Sequence, residues 1–105
     1  MQKVLSLVGL CKKAGKLACG EGAVKDSIRY GKAQLVIIAT DASDNTKKSI
    51  TNSCKYYGVE YYIQGTKETI GHSVGNSYNA VVAITDPGFA KSIQGHLQRN
   101  TNGGE

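Results

Sequence analysis

LVIIATDASDNT, residues 35–46, is the stretch whose reading decides the fold. Leu35 to Ala39 is unbroken apolar chain rich in β-branched residues, the composition of a strand covered on both faces. Thr40, Asp41, Ser43 and Asp44 follow, a crowd of side chains that accept hydrogen bonds from the free N–H groups at a helix start. A buried strand handing directly to a capped helix is the repeating unit of a layered α/β domain. Working outward, that helix continues to about Tyr57, with Ile50, Cys54 and Tyr57 as its buried stripe and Gly58 as its stop.

The alternation extends both ways. Upstream, Val4, Leu5, Val8 and Cys11, with Leu7 and Leu10 beside them, predict a first helix that closes near Gly15. Leu17-Ala18-Cys19 reads as a short extended piece. Ala23, Val24, Ile28 and Tyr30 then suit a second helix from Glu21, ended by Gly31. Downstream, VEYYI (59–63) alternates like a strand nearer an edge, and Thr66 is an N-cap for a short fourth helix. AVVAI (80–84) is a second wholly apolar strand, and Asp86-Pro87 opens a last helix through about Gln98. The expectation is an α/β single-domain three-layer α/β/α sandwich with a small mixed sheet over residues 1–98, then a disordered tail, 99–105.

Composition excludes several classes of function. The chain has 105 residues, 40% of them apolar, enough for one core. No window approaches about 18 consecutive apolar residues, so no membrane span is expected. The N-terminal apolar run ends in Lys12 and Lys13 without a small-x-small cleavage site, and reads as an amphipathic helix of a cytoplasmic protein. Cys11, Cys19 and Cys54 cannot all pair and show no C-x-x-C spacing, so free thiols are expected and no metal site. His72 reads as a solvent-facing or capping residue and His96 as exposed. Asp41 and Asp44 read as caps rather than magnesium ligands. No G-x-S-x-G elbow and no trusted Cys–His–Asp spacing occurs, so neither catalysis nor a cofactor is expected.

Charge is more informative. The net charge is +5, and the whole surplus falls in residues 1–34, where seven bases face only Glu21 and Asp26. Within that third lies KLACGEGAVKDSI (16–28), a glycine-led helix start flanked by Lys16 and Lys25. It is not a dinucleotide fingerprint, because Lys25 stands where G-x-G-x-x-G needs its third glycine, and no Walker loop occurs in the chain. Free N–H groups beside basic side chains favour a polyanionic partner. The plainer alternative is a tight turn in which Glu21 complements the helix dipole.

Three stretches carry a resemblance: GKLACGEGAVKDSIRYGKAQLVIIATDASDNT, YYGVEYYIQGTKETIGHSVGN and AVVAITDPGFAKSI. Over about residues 3–97 the chain resembles the ribosomal L7Ae family, and within it the small bacterial YlxQ-type branch. The resemblance implies an α/β/α sandwich that binds structured RNA, especially kink-turns with tandem sheared G·A pairs, in association with the ribosome or another RNA, here as a monomer. It also implies a contact surface: Gly20, Glu21, Gly22, Ala23 and Lys25 at the second helix, a second wall of Gln64, Gly65 and Thr66 with Lys67 adjoining, and phosphate contacts from Lys16 and Lys67. The family's G-x-N-E-x-x-K pattern places its Asn at Gly22, its Glu at Ala23 and its Lys at Asp26, so all three differ here. Lys25 lies one residue before the family's lysine, about 100° around the helix. A recognition module for an RNA-modifying enzyme, a small nucleotide or metabolite binder, and a protein-interaction module stand as alternatives.

Overall fold

The computed structural model describes residues 1–103, with side-chain surroundings through Arg99. Strands β1 (Leu17–Cys19), β2 (Leu35–Ile38), β3 (Glu60–Ile63) and β4 (Val81–Ile84) form one sheet in the order β1-β4-β2-β3. β4 is antiparallel to both β1 and β2, and β2 is parallel to β3, so the sheet is mixed. Helices α2 (Glu21–Arg29) and α3 (Asp44–Tyr57) pack together in one layer. Helices α1 (Gln2–Lys13), α4 (Lys67–Ser73) and α5 (Pro87–Gly103) form the other, with α1 against both of its companions. This is the three-layer sandwich expected from the alternation of elements.

Burial follows the apolar pattern. β2 and β4 are buried at every position, as central strands covered by helices on both faces must be. β3 lies at the edge and does not alternate as its sequence suggests: Tyr61 and Tyr62 are both half-buried, while Glu60 and Ile63 at its ends are exposed. The capping residues act as their positions predict. Ser43 Oγ accepts from Thr46 N at 3.1 Å, and Asp86 Oδ2 accepts from Phe89 N at 2.9 Å. Thr66 and Thr69 exchange side-chain and backbone hydrogen bonds in a capping box at the start of α4.

Four expectations need correction or qualification. Tyr57 is not part of the buried stripe; the residue is 46% exposed, because α3, with 14 residues, outruns the nine of its neighbour α2. Leu10 is exposed beside the α1–α4 groove rather than in the core. His96 is half-buried, with Arg99 Nη2 2.7 Å from its Nδ1. Burial and the Arg99 cation hold its pKa below the usual histidine value. Helix α5 runs to Gly103, past Gln98, so 99–103 of the expected 99–105 tail continue the helix, while 104–105 lie outside the described residues.

The three cysteines are free: Cys11 and Cys54 are buried and Cys19 is half-buried. Burial pushes the Cys11 and Cys54 thiols up to about 11 from 9.0. A raised thiol pKa means that the folded state holds its protons longer than the unfolded chain. These two sites therefore stabilise the fold fully below about pH 9 and lose that contribution as pH rises towards about 11. A thiol reagent at neutral pH is expected to label Cys19 first, and Cys11 and Cys54 only on unfolding. Mass spectrometry of the labelled peptides checks the order; simultaneous labelling of all three would contradict the packing.

Candidate nucleic-acid interface

β1, β2 and β3 all run in one direction, and each hands its chain to a helix at its carboxyl end: α2, α3 and α4 in turn. Three helix N-termini therefore open at the same end of the sheet. Their aligned dipoles favour anions there. α2 has no side-chain cap and keeps its first N–H groups free, whereas Ser43 occupies Thr46 N of α3, and Asp41 and Thr66 occupy Lys67 N and Thr69 N of α4. Hydrogen bonds between the strand ends fix the order of the loops across it. Gly20 N donates to Val81 O at 3.1 Å, Ala39 N to Ala80 O at 2.8 Å, and Thr40 N to Gly65 O at 2.8 Å. The glycine start of α2 and the Gly65 loop are thus three strand spacings apart, about 14 Å.

Gly20 is the N-cap of α2, with φ 91° and ψ 157°, a region essentially closed to residues with a Cβ. That backbone turns the chain from β1 into the helix and leaves Glu21, Gly22 and Ala23 exposed on its first turn. Glu21 Oε1 accepts from Thr46 Oγ1 at 3.0 Å, which holds the side chain against the start of α3. Lys25, one turn on, donates from Nζ to Ser49 Oγ of α3 at 2.8 Å. An ammonium has three donors, so two stay available to a phosphate.

The second wall is equally well tied. Gly65 has φ 75°, and its carbonyl accepts from both Thr40 N and Thr40 Oγ1, the latter at 2.7 Å. Thr66 is committed to the capping box. Lys67 N donates to Asp41 Oδ1 at 2.8 Å, which anchors the start of α4 to the β2–α3 connection. Gln64 turns the other way: its Nε2 donates to Leu97 O of α5 at 3.1 Å.

Gly20 to Ala23, Lys25, Gly65, Thr66 and Lys67 thus gather at one end of the sheet. Lys16 does not. It precedes β1 at the amino end, and its carbonyl accepts from Thr85 N at 2.9 Å. About 13 Å of extended chain separates it from Gly20. Most of the basic surplus is on that side too: Lys12 and Lys13 end α1, Arg29 ends α2, and Lys32 precedes β2. The residues absent from the sequence reading of this surface are Thr40, Asp41 and Thr46. Their signal was present in LVIIATDASDNT, but it pointed only to capping of α3. In three dimensions the same connection reaches sideways to both walls.

Among the described residues, no group of three or more His, Cys, Asp or Glu side chains could hold a metal ion. The described helices include none long and apolar enough to cross a membrane.

The family model for the ribosomal protein L7Ae/L30e/S12e/Gadd45 family matches residues 2–94. The chain belongs to this family. The L7Ae-family chain is 41% identical to the RNA-binding protein YlxQ of Bacillus subtilis over 87 residues, covering 83% of this chain and 87% of that protein. It is 35% identical to the large ribosomal subunit protein eL30 of Spodoptera frugiperda, covering 89% and 84% of the two chains. Among solved structures it is similar to the Giardia lamblia 15.5 kD RNA binding protein, with a TM-score of 0.79 and 26% identity over 92% of this chain and 86% of that one. Gly22, Ala23 and Asp26 all lie at exposed positions of α2.

Proposed function

We propose that this L7Ae-family chain is a non-catalytic RNA-binding protein that grips a bent, kink-turn-like element of ribosomal or other structured RNA, as a monomer in the cytoplasm. The observation that carries the reading is the convergence of three helix N-termini at one end of the sheet, with Lys25 and Lys67 beside them. Relatives named as an RNA-binding protein and as a ribosomal protein support it. Gly22 and Ala23 offer no polar side chain, so recognition relies on backbone N–H groups, helix dipoles and lysines. Such contacts read phosphate position and RNA shape more than base identity.

Titration with a kink-turn RNA, the same RNA with its G·A pairs replaced, and a plain duplex tests this. The expected order is tightest, weaker, weakest; equal affinity for all three ends the kink-turn reading. Lys25→Ala and Lys67→Ala should each weaken binding and reduce the salt slope by about one unit for duplex-like RNA. Lys16→Ala, at the far end of the sheet, should do less to a short RNA. Unchanged affinity and slope in both Lys25 and Lys67 variants would move the site elsewhere.

A further inference from the structure

A groove of about 420 Å3 runs between α2 and α3, lined by Gly22, Lys25, Asp26, Arg29, Ser53 and Tyr57. We propose that it takes a single-stranded RNA segment flanking the folded element. The inference rests on the RNA-binding reading above and extends its surface towards the opposite end of the sheet.

Continuity is the first argument. Gly22 and Lys25 belong both to the helix start and to the groove, and Arg29 lies about 10 Å further along the axis of α2. Lys25 and Arg29 are four residues apart and share a helix face. Arg29 Nη2 meets Asp26 Oδ1 at 3.0 Å, in a pair whose side chains are about 60% exposed. Asp26 is the acidic side chain lining the groove, and Arg29 answers it with one of five donors, leaving the rest for a phosphate.

Aromatic exposure is the second argument. Tyr57 lines the groove and is 46% exposed, and Tyr56 beside it is 82% exposed. Their rings meet edge to face at 4.8 Å, which leaves the outer faces open. Across the groove, the Arg29 guanidinium sits 5.3 Å from the ring centre of Tyr30, itself 68% exposed. Isolated surface tyrosines need no explanation, but Tyr57 in the groove, with Tyr56 against it and Tyr30 beside the groove-lining Arg29, offers stacking faces of the kind that accept any base. Lys32 follows the end of α2, past Arg29. A strand in the groove gives Lys25 and Arg29 a ligand that the helix starts alone do not.

The test compares a blunt kink-turn RNA with the same RNA carrying a six-uridine tail at either end, and includes oligouridine alone. The protein has six tyrosines and no tryptophan, so quenching of tyrosine emission reports stacking directly. A tail on one end should tighten binding about tenfold. Tyr57→Leu, which keeps apolar cover, and Arg29→Gln should remove that gain and leave affinity for the blunt RNA unchanged, while Tyr57→Phe retains the gain. No gain from either tail, or a gain that survives Tyr57→Leu, overturns the inference. The same holds if a protein partner occupies the groove while tails have no effect. If the blunt kink-turn binds no better than duplex, the kink-turn reading falls, yet the tailed and blunt forms of the same RNA still decide the groove.

Discussion

Gly20→Ala should lower the stability of the protein by about 2 kcal/mol and weaken RNA binding at least tenfold. The residue sits at φ 91° and ψ 157°, where a Cβ is strained by roughly 1–3 kcal/mol whatever space surrounds it. No heavy atom lies within 4 Å of the position an added methyl would take, so the penalty is conformational rather than a clash. In a domain of this size, about 2 kcal/mol corresponds to a fall in Tm of roughly 8–16 °C. The chain can relieve the strain only by re-aiming the start of α2, and that moves the free N–H groups away from a phosphate. Loss of one or two charge-assisted hydrogen bonds is enough for the affinity change, at about 1.5–3 kcal/mol each. Gly22→Ala is the internal control. Gly22 has space around it and no positive φ, so alanine there should raise stability by about 0.5–1 kcal/mol. Thermal unfolding and RNA titration of the two variants check the contrast; the same sign at both positions would remove the backbone argument.

The opposite experiment adds what the surface lacks. Gly22→Asn with Ala23→Glu should tighten binding to kink-turn RNA by about ten- to a hundredfold, with little or no gain on a version whose G·A pairs are replaced. Both positions are exposed on the first turn of α2, and nothing within 4 Å of Gly22 obstructs a side chain. Two hydrogen bonds to guanine edges, one from a charged acceptor, supply an effect of that size. Charge makes the experiment decisive. The double variant is one unit more negative than the parent, so a gain on a polyanion cannot come from general attraction. A uniform loss on all RNAs would mean that α2 does not face base edges. Adding Asp26→Lys afterwards separates phosphate attraction, which should help duplex and kink-turn alike.

Which features could be read early follows from how local their causes are. β2 and β4 were legible because a five-residue apolar run has no other stable place than a sheet covered on both faces. Thr66 and Asp86 were legible because a cap acts on N–H groups two or three residues away. Tyr57 misled for the same reason in reverse. Its spacing from Ile50 and Cys54 is helical and apolar, but the neighbour that would bury it ends too soon. Lys16 illustrates the limit for the site. It is four positions from Gly20 in the chain, yet the three residues between them are strand β1, which carries the two to opposite ends of the sheet.

The sequence by itself determined the elements, their caps, the layered fold and the glycine-led start of α2, because each depends on periodicity or on contacts within a few residues. The tertiary structure decided the rest. Strand direction brought three helix starts to one end, the β2–α3 connection tied the two walls through Glu21–Thr46 and Asp41–Lys67, and the basic surplus was divided between the ends. Those outcomes depend on which strand lies beside which, and the order β1-β4-β2-β3 is set by packing across the whole core rather than by any local run of residues.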